Sequence, residues 1–460
     1  MPGILGSLTA NKQEQSQVLY MLSTGFFMGV FIATYQVTAD SLFLNRMGEY
    51  LNTAFLIAGV LGIVSTGIFS WLQNVVRFSV LTTIVISIIF LFTLLVYILL
   101  SFGSEEWQRI VIFSMYCASG PMIAMLLLSY WGTFGRLFNF RQSKKIIGWI
   151  DTGQLVAAIT ASFLIPLSAG FVPETADYLV VCQVSVMMMG LLLLLISFRF
   201  SLTKNDPKEF DEEVRYQTSI RRMFSDKYIL QMSALVLISM LVFIFTQYSF
   251  QETVKEQYTD QRSLTDFMAF FTGAIYGLSL LMQTFVNNRI IANYGLRTSL
   301  YLLPVLVLVF SLGAVISGFI LGFHKHTNPA GFVYFFLFIA MARLTNWTIR
   351  DSLETPVLKL FFIPLDSRFR FSLQTKVEGL VNESSRFIAG LLIFGLTAIP
   401  FFEVIHIAIF LIALGLIYLL IINKLYQGYR MKIRLKLEHP EARQERLEKG
   451  YERIMRELEN

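Results

Sequence analysis

A succession of long apolar segments is the feature that most constrains how this sequence can fold. A helix needs about 20 mostly apolar residues to cross a bilayer, and about twelve segments meet that criterion. They lie near 19–43, 50–74, 78–102, 108–136, 146–170, 176–199, 228–250, 264–287, 298–322, 331–357, 376–398 and 401–424. Only 15% of the residues are charged, against about 25% in soluble domains. The sequence therefore predicts an all-α polytopic membrane protein with about 12 transmembrane helices.

The longest polar stretch between apolar segments, RFSLTKNDPKEFDEEVRYQTSIRRMFSDK, divides the chain into two halves of six segments. Its Pro and its alternating acidic and basic runs are typical of a surface linker. We predict an N-terminal six-helix bundle at 1–199, a cytoplasmic linker at 200–227 and a C-terminal six-helix bundle at 228–424. The basic tail at 425–460 has apolar residues at helical spacing, which indicates a solvated amphipathic helix or a docking face for a partner.

The distribution of basic residues among the loops predicts the orientation. With both termini inside, the inner loops and the N-terminus hold about 19 Lys and Arg, and the outer loops hold roughly 5. We therefore expect both termini in the cytoplasm and the protein in the inner or plasma membrane. The net charge of +6 is dispersed among membrane loops, so it does not indicate nucleic-acid binding.

The two halves begin with related polar strings inside apolar segments. FIATYQVTADSL starts at Phe31 and FIFTQYSFQETV starts at Phe243, and each ends near an acid. Two six-helix units with paired polar first helices are the architecture of the major facilitator transporters, in which two halves rock around a midplane site. In that architecture the first helix of each half faces a central cavity. The predicted substrate-binding residues on these helices are Tyr35, Gln36, Asp40, Gln247 and Tyr248.

Three further stretches resemble the ATP/ADP translocase-like branch of the major facilitator superfamily. They are YWGTFGRLFNFRQSKKIIGWIDTGQLVA, FTQYSFQETVKEQYTDQRSLTDFMAFFTGAIYGLSLLMQTF and VLKLFFIPLDSRFRFSLQTKVEGLVNESSRFIAG. The matching residues are Phe138, Arg141, Gln142, Lys144, Lys145, Gly148, Tyr248, Phe250, Pro364, Arg368, Lys376 and Gly379. The resemblance implies a nucleotide carrier. However, no predicted helix has a Lys near its middle, whereas a polyphosphate needs several fixed cations.

Segment ten carries a cation at membrane depth. An Arg at a helix centre costs about 2.5–3.5 kcal/mol on insertion scales, so such residues are seldom idle. Arg343 is followed by Asn346, Trp347 and Arg350 at spacings that place them on one helical face. Arg343, Asn346 and Trp347 are predicted to bind an anionic or aromatic part of a substrate. Alternatively, Arg343 holds the bundle together through a carboxylate such as Asp40.

Other charged residues lie where gating or coupling contacts are expected. Glu383 and Arg386 are i,i+3 neighbours that form a structural pair, or Glu383 relays protons. Asp151 follows the basic loop and is expected to form salt bridges with it at an inner gate. The complete set of predicted coupling or gating residues is Arg136, Arg141, Lys144, Asp151, Glu383 and Arg386.

The sequence contains no pattern that predicts catalysis. It lacks a Gly-rich phosphate loop with its Lys, a Ser/His/Asp arrangement and paired catalytic acids in a soluble domain. Cys117 and Cys182 fall in apolar runs, and His324 and His326 flank Lys325 in a short loop that we interpret as a solvated turn. We expect no metal site and no cofactor.

The predicted function is secondary active transport of a small polar or anionic solute, with nucleotides as the candidate that the resemblance supplies. The alternative is a non-transporting membrane scaffold or sensor with the same bundle. The expected partners are the solute, membrane lipid, and a proton or counter-exchanged solute, and the protein is expected to be a monomer. A scaffold has little need for Arg343 at the midplane.

Overall fold

The computed structural model describes residues 12–138, 140–168, 170–200, 225–365, 370, 373–374 and 376–438. Within these residues the chain is helical and contains no β strand. The first half forms α1 (Lys12–Met47), α2 (Leu51–Val75), α3 (Phe78–Phe102), α4 (Glu105–Leu137), α5 (Phe140–Leu167) and α6 (Tyr178–Arg199). The second half forms α7 (Lys227–Gln257), α8 (Gln261–Leu281), α9 (Asn287–Leu321), α10 (Pro329–Ile349), α11 (Asn382–Thr397) and α12 (Val404–Glu438). The predicted all-α architecture is confirmed.

Single π-helical turns lie beside three of these helices. They cover Met282–Val286 between α8 and α9, Arg350–Glu354 after α10 and Val377–Val381 before α11. The short helix Thr355–Leu360 follows the second of them. Such turns are frequent at functional sites, because they shift the register of the side chains that follow.

Ten stretches of the described residues are long and apolar enough to cross a membrane. One stretch, Glu14–Gln73, contains both α1 and α2, and α11 has 16 residues, fewer than the 18 that the length criterion requires. With its preceding π turn, α11 belongs to a continuous helical run from Val377 to Thr397. These two differences explain why twelve helices give only ten such stretches. The protein is a multi-pass membrane protein.

The exposed face of α3 shows why these helices require lipid. Its buried side chains include Leu81, Val85 and Ile89, which pack against α4 and α6. Its exposed apolar side chains are Val80, Ile84, Ile88, Leu91, Leu95, Ile98 and Phe102. Exposed apolar surface on this scale is unusual for a soluble protein and normal for a helix that faces acyl chains.

The helices form two bundles that meet along two pairs of helices. In the first half, α1 packs on α4, α5 and α6, and α2 packs on α4. In the second half, α7 packs on α10, α11 and α12, and α9 packs on α10 and α12. Between the halves, α2 lies against α11 and α5 lies against α8, with additional contact of α1 with α8. The polar strings of α1 and α7 therefore lie in the interior, next to the boundary between the halves.

Glycines allow the backbones of α2 and α11 to come into direct contact. A Cβ added to Gly59 would lie 2.8 Å from the Cα of Phe387, and one added to Gly390 would lie 2.7 Å from the carbonyl oxygen of Phe55. Small residues at helix interfaces provide this close packing in membranes, where apolar burial supplies little net attraction between helices. The contact joins the two halves of the molecule.

We expect Gly390→Ala to lower the free energy of unfolding by about 1–3 kcal/mol, because its methyl group forces two backbones apart. Gly395→Ala on the same helix is the matched control, since a Cβ there meets no atom within 4 Å. Ala favours a helix over Gly by roughly 0.5–1 kcal/mol, so the control should be neutral or stabilised. Thermal unfolding in detergent measures the difference, and equal melting temperatures for the two variants would contradict this packing.

Candidate functional site

The polar string of α1 satisfies most of its hydrogen bonds inside the first bundle. The hydroxyl of Thr38 donates to the carbonyl oxygen of Thr34 at 2.8 Å, and that of Ser41 donates to the carbonyl oxygen of Val37 at 2.7 Å. Such a bond to the preceding turn gives the hydroxyl a hydrogen-bond partner in apolar surroundings, and no second helix is needed to supply one. Asp40 is different, because a carboxylate has no proton to donate in this way.

Tyr35 is fully buried within the first bundle. Its hydroxyl donates to the carbonyl oxygen of Met115 at 3.0 Å, and its ring stacks on Phe31 with 5.3 Å between centroids. These contacts join α1 to α4 within one half. The side chain of Tyr35 therefore packs between helices in this conformation. The neighbouring Gln36 is partly exposed.

Asp40 lies in a polar group that crosses the boundary between the halves. Its carboxylate is 6% exposed and interacts with the side chain of Gln251 on α7. The Oε1 atom of Gln251 accepts a hydrogen bond from the hydroxyl of Tyr116 on α4 at 2.7 Å. The ring of Phe43 stacks on Tyr116 with 4.1 Å between centroids. Side chains from α1, α4 and α7 therefore form one buried polar group.

Arg343 on α10 is buried beside this polar group and is enclosed by aromatic rings. It is 3% exposed, and its guanidinium carbon lies 4.5 Å from the ring centroid of Phe243 and 4.4 Å from that of Trp347. Its Nη1 donates to the carbonyl oxygen of Phe243 at 3.4 Å. Asp40 interacts with it electrostatically. Among the described residues, however, no carboxylate oxygen forms an ion pair with Arg343.

Asn346 follows Arg343 on α10 and has unused hydrogen-bonding capacity. It is fully buried, and neither its amide nitrogen nor its amide oxygen has a hydrogen-bond partner within the described chain. An unpartnered buried amide costs free energy unless a ligand or ordered water completes it. Asn346 lies one turn from Arg343 on the same helix.

Arg350, one further turn along, faces the same aromatic ring. Its guanidinium carbon lies 4.6 Å from the ring centroid of Phe243. Its Nε donates to the hydroxyl of Ser239 at 3.3 Å, and its Nη2 donates to the Oδ1 of Asn382 at 3.2 Å. Two cations thus contact one ring of α7, and Glu354 interacts electrostatically with the second of them.

The predicted pair on α11 is present and faces the first half. The Nε of Arg386 lies 3.8 Å from the Oε2 of Glu383. A Cβ on Gly62 of α2 would lie 2.6 Å from that carboxylate oxygen, and a Cβ on Gly120 of α4 would lie 2.8 Å from Nη1 of Arg386. The ion pair of one half is therefore seated against two glycines of the other.

Two of the residues predicted for an inner gate, Asp151 and Arg136, contact different groups in the described part of the chain. Asp151 accepts a hydrogen bond from Nε2 of Gln283 at 2.9 Å, which joins α5 to the π turn after α8. Arg136 lies over the ring of Phe78 at 3.7 Å and donates to a carbonyl oxygen of its own helix. The side chains of Arg141 and Lys144 lie outside the described part of the structure.

On α7, Gln247 is partly exposed, while Tyr248 is buried. The Tyr248 ring meets that of Phe55 on α2 edge to face, with 5.5 Å between centroids. Trp347 meets Phe243 in the same way at 5.5 Å. The structure thus brings Asp40, Arg343, Asn346 and Trp347 into one region, while Tyr35 and Tyr248 pack between helices.

The two halves are closed against each other at the predicted outer end. Five hydrogen bonds cross the boundary there, with donor–acceptor distances of 2.9–3.1 Å. The pairs are Asn45 with Thr259, Lys255 with Gly48, Asn52 with Thr397, Arg262 with Val172, and Thr175 with Thr265. The site is therefore shielded from the predicted outer face in this conformation.

Three residues of the site were not predicted from the sequence. Tyr116 lies in an apolar run, and Phe243 and Gln251 lie within the polar string of α7 without being predicted to bind substrate. The signal available for Gln251 was the repeated string itself, since it stands next to Glu252, the acid that corresponds to Asp40.

Comparison with known proteins identifies the fold. No protein-family model and no curated protein matches the sequence. Among solved structures, a mutant of the nucleoside transporter NupG is similar with a TM-score of 0.61 and 12% identity, covering 89% of this chain and 99% of that one. A D-xylose–proton symporter is similar with a TM-score of 0.60 and 13% identity, covering 89% and 97%.

A bacterial homologue of the iron transporter ferroportin, in its inward-facing state, is similar with a TM-score of 0.56 and 13% identity, covering 88% of this chain and 98% of that one. All three structures are transporters by description, and each is similar to this chain over nearly its whole length. The chain therefore has the major facilitator fold. At this level of identity the likeness concerns the fold alone, because unrelated functions recur on one fold.

We expect Tyr116→Phe to destabilise the closed conformation by about 0.5–1.5 kcal/mol, because it removes one hydrogen bond across the halves. The change keeps the stacking on Phe43. Tyr334→Phe is the control, since that phenol is 56% exposed on α10. The readout is the labelling rate of a Cys introduced at Asn52, which should rise in Tyr116→Phe only. Identical labelling rates in both variants would contradict a role in closure.

Proposed function

We propose that this protein is a secondary active transporter that moves a small polar or anionic solute by alternating access. The observation that carries the proposal is Arg343, a buried cation at the boundary of the two halves that no described carboxylate pairs with directly. Placing an Arg at membrane depth costs about 2.5–3.5 kcal/mol. Binding of an anionic ligand would explain why a buried Arg is retained at this position. A permanent structural ion pair would instead require a carboxylate close to Arg343.

The neighbours of Arg343 support an anion that also has polar or aromatic groups. The unpartnered amide of Asn346 can both donate and accept a hydrogen bond. The indole of Trp347 and the ring of Phe243 provide apolar faces beside the cation. Arg350 adds a second positive charge on the same ring. In this proposal Asp40, Gln36 and Gln247 complete the substrate-binding surface when the halves separate.

Nucleotides are the candidate substrates that the family resemblance supplies. The two guanidinium groups near Phe243 support an anionic group such as a phosphate, because Arg pairs with phosphate through charge-assisted hydrogen bonds. A nucleoside transporter is also among the proteins of similar fold. A simple phosphate ester or a carboxylate would satisfy the same two cations, so transport assays need all three classes.

The coupling ion in this proposal is a proton or a counter-exchanged solute. Asp40 and Glu383 are the carboxylates placed to respond, the first beside Arg343 and the second against α2. The gate at the cytoplasmic end would use Asp151 together with Arg136, Arg141 and Lys144. The transporter would act as a monomer in the inner or plasma membrane. Its bundles would be residues 1–199 and 228–424, with the linker, both termini and the tail at 425–460 in the cytoplasm.

A non-transporting scaffold or sensor is the competing function, and uptake into proteoliposomes distinguishes the two. The assay uses labelled nucleotides, phosphate esters and carboxylates, each with a proton gradient, with preloaded solute, and with neither. Uptake of one class above empty liposomes is expected. Failure of all three classes under every condition would favour the scaffold.

We expect Arg343→Ala to reduce uptake of the active solute at least about tenfold, since a hydrogen bond to a charged group contributes about 1.5–3 kcal/mol. Arg343→Lys should retain part of the activity because it keeps the charge and loses the planar fork. Arg109→Ala, on an exposed site of α4, is the control for loss of positive charge. Uptake by Arg343→Ala equal to that of Arg109→Ala would remove Arg343 from the site.

Cross-linking the closed end should stop transport if the halves must separate there. In a Cys117→Ser/Cys182→Ser background, Asn52→Cys/Thr397→Cys would place thiols where two side chains now lie 3.0 Å apart across the halves. A short reducible bis-thiol reagent is expected to abolish uptake, and reduction should restore it. Arg46→Cys/Gln108→Cys is the control, because that pair lies within the first half. Full uptake by the cross-linked first pair would contradict alternating access.

A further inference from the structure

A second group of polar side chains lies at the predicted outer end of the second half, away from Arg343. The loop between α9 and α10 folds against the end of α7 there. The Oε1 atom of Glu256 lies 3.6 Å from Nδ1 of His324 and 3.9 Å from Nδ1 of His326. One possible ligand atom from each of the three residues lies within 4.8 Å of the others. Three donors from two separate segments thus converge on one point.

Neighbouring groups orient two of these donors. The backbone N–H of Lys325 donates to Oε1 of Glu256 at 2.7 Å, which fixes the carboxylate against the loop. The other ring nitrogen of His324, Nε2, lies 3.5 Å from Oε1 of Glu403, at the start of α12. A histidine that binds a metal through one nitrogen usually donates a hydrogen bond to a carboxylate or carbonyl through the other. Glu403 lies close enough to Nε2 of His324 to take that position after a small movement.

The surrounding charge also favours a cation. An open cavity of about 480 Å³ lies beside the group, and Glu252, Glu256 and Glu403 line it. The ammonium groups of the two Lys residues that adjoin these donors in the sequence are engaged elsewhere. Nζ of Lys325 donates to the carbonyl oxygen of Gln257 at 2.5 Å, and Nζ of Lys255 pairs with Glu252 at 2.5 Å.

We propose that Glu256, His324 and His326 form a binding site for a first-row divalent transition metal ion such as Zn²⁺. Imidazole nitrogens with a carboxylate oxygen suit such ions, and a fourth position is left for water. Two ligands of a tetrahedral Zn²⁺ lie about 3.4 Å apart, from bond lengths near 2.1 Å. The observed separations of 3.6 and 3.9 Å from the carboxylate oxygen therefore need to shorten by about 0.2 and 0.5 Å, and the two imidazole nitrogens, within 4.8 Å of each other, must also approach. His326 is 77% exposed, so it can move that far without disturbing packing.

The bound ion would fasten three segments of the second half together. Glu256 belongs to α7, the histidines belong to the α9–α10 loop, and Glu403 precedes α12. Because α7 also contributes Gln251 and Phe243 to the central site, the ion would hold the outer end of a helix that must move during transport. The site itself does not depend on the transport proposal, since its donors and their geometry are independent of Arg343.

The test measures metal binding by the purified full-length protein in detergent. Calorimetry measures the binding of Zn²⁺, and the visible spectrum reports the binding of Co²⁺. We expect one Zn²⁺ per chain and a Co²⁺ spectrum typical of four ligands. His324→Ala/His326→Ala should abolish both signals. Glu403→Gln should weaken Zn²⁺ binding by about 10–100-fold, the usual loss when a carboxylate behind a histidine ligand is removed. Affinity should also fall with decreasing pH, because protons compete with the ion for imidazole nitrogen.

His406→Gln is the matched control, since His406 is exposed nearby and its Nδ1 accepts from the backbone N–H of Glu403. It should bind Zn²⁺ as the unaltered protein does. The single change His326→Ala, at the most exposed donor, keeps the test valid if the double variant does not fold. Absence of Zn²⁺ binding by the unaltered protein, or unchanged affinity in His326→Ala, would overturn the proposal.

Discussion

The burial of one guanidinium group between two helix bundles organises this molecule. Arg343 is placed in surroundings where an unpaired charge is costly, and the nearby groups reduce that cost without neutralising it. Two aromatic faces and one carbonyl oxygen contact it, while Asp40 acts from beyond ion-pair distance. Asp40, Gln251 and Tyr116 place further polar groups beside that charge. The candidate site is consequently built from both halves.

Close backbone contact joins the two halves at one end of the molecule. Gly59 and Gly390 let α2 and α11 touch directly, and the Asn52–Thr397 hydrogen bond continues that seam. Small residues at such an interface allow two helices to pack closely in a membrane, where apolar burial supplies little net attraction between them.

Much of the fold could be predicted from the sequence because membranes impose a length and a composition on each helix. The segments predicted near 78–102 and 176–199 correspond to Phe78–Phe102 and Tyr178–Arg199. Arg343 and Asp40 were recognisable because charge at membrane depth is rare and costly. Tyr116 and Phe243 were not recognisable. Their residue types are common in any apolar helix, and only their neighbours make them part of the site.

The sequence by itself determined the helices, their number and which of them carry charge, since these follow from local hydrophobicity and from the cost of burying polar groups. The tertiary structure decided which groups meet. It directed Tyr35 to Met115 within one bundle and Asp40 to Gln251 across two. It also brought Glu256 to His324 and His326, which looked like part of a solvated turn. Contacts between distant segments depend on how whole helices pack, and residue spacing along the chain does not contain that information.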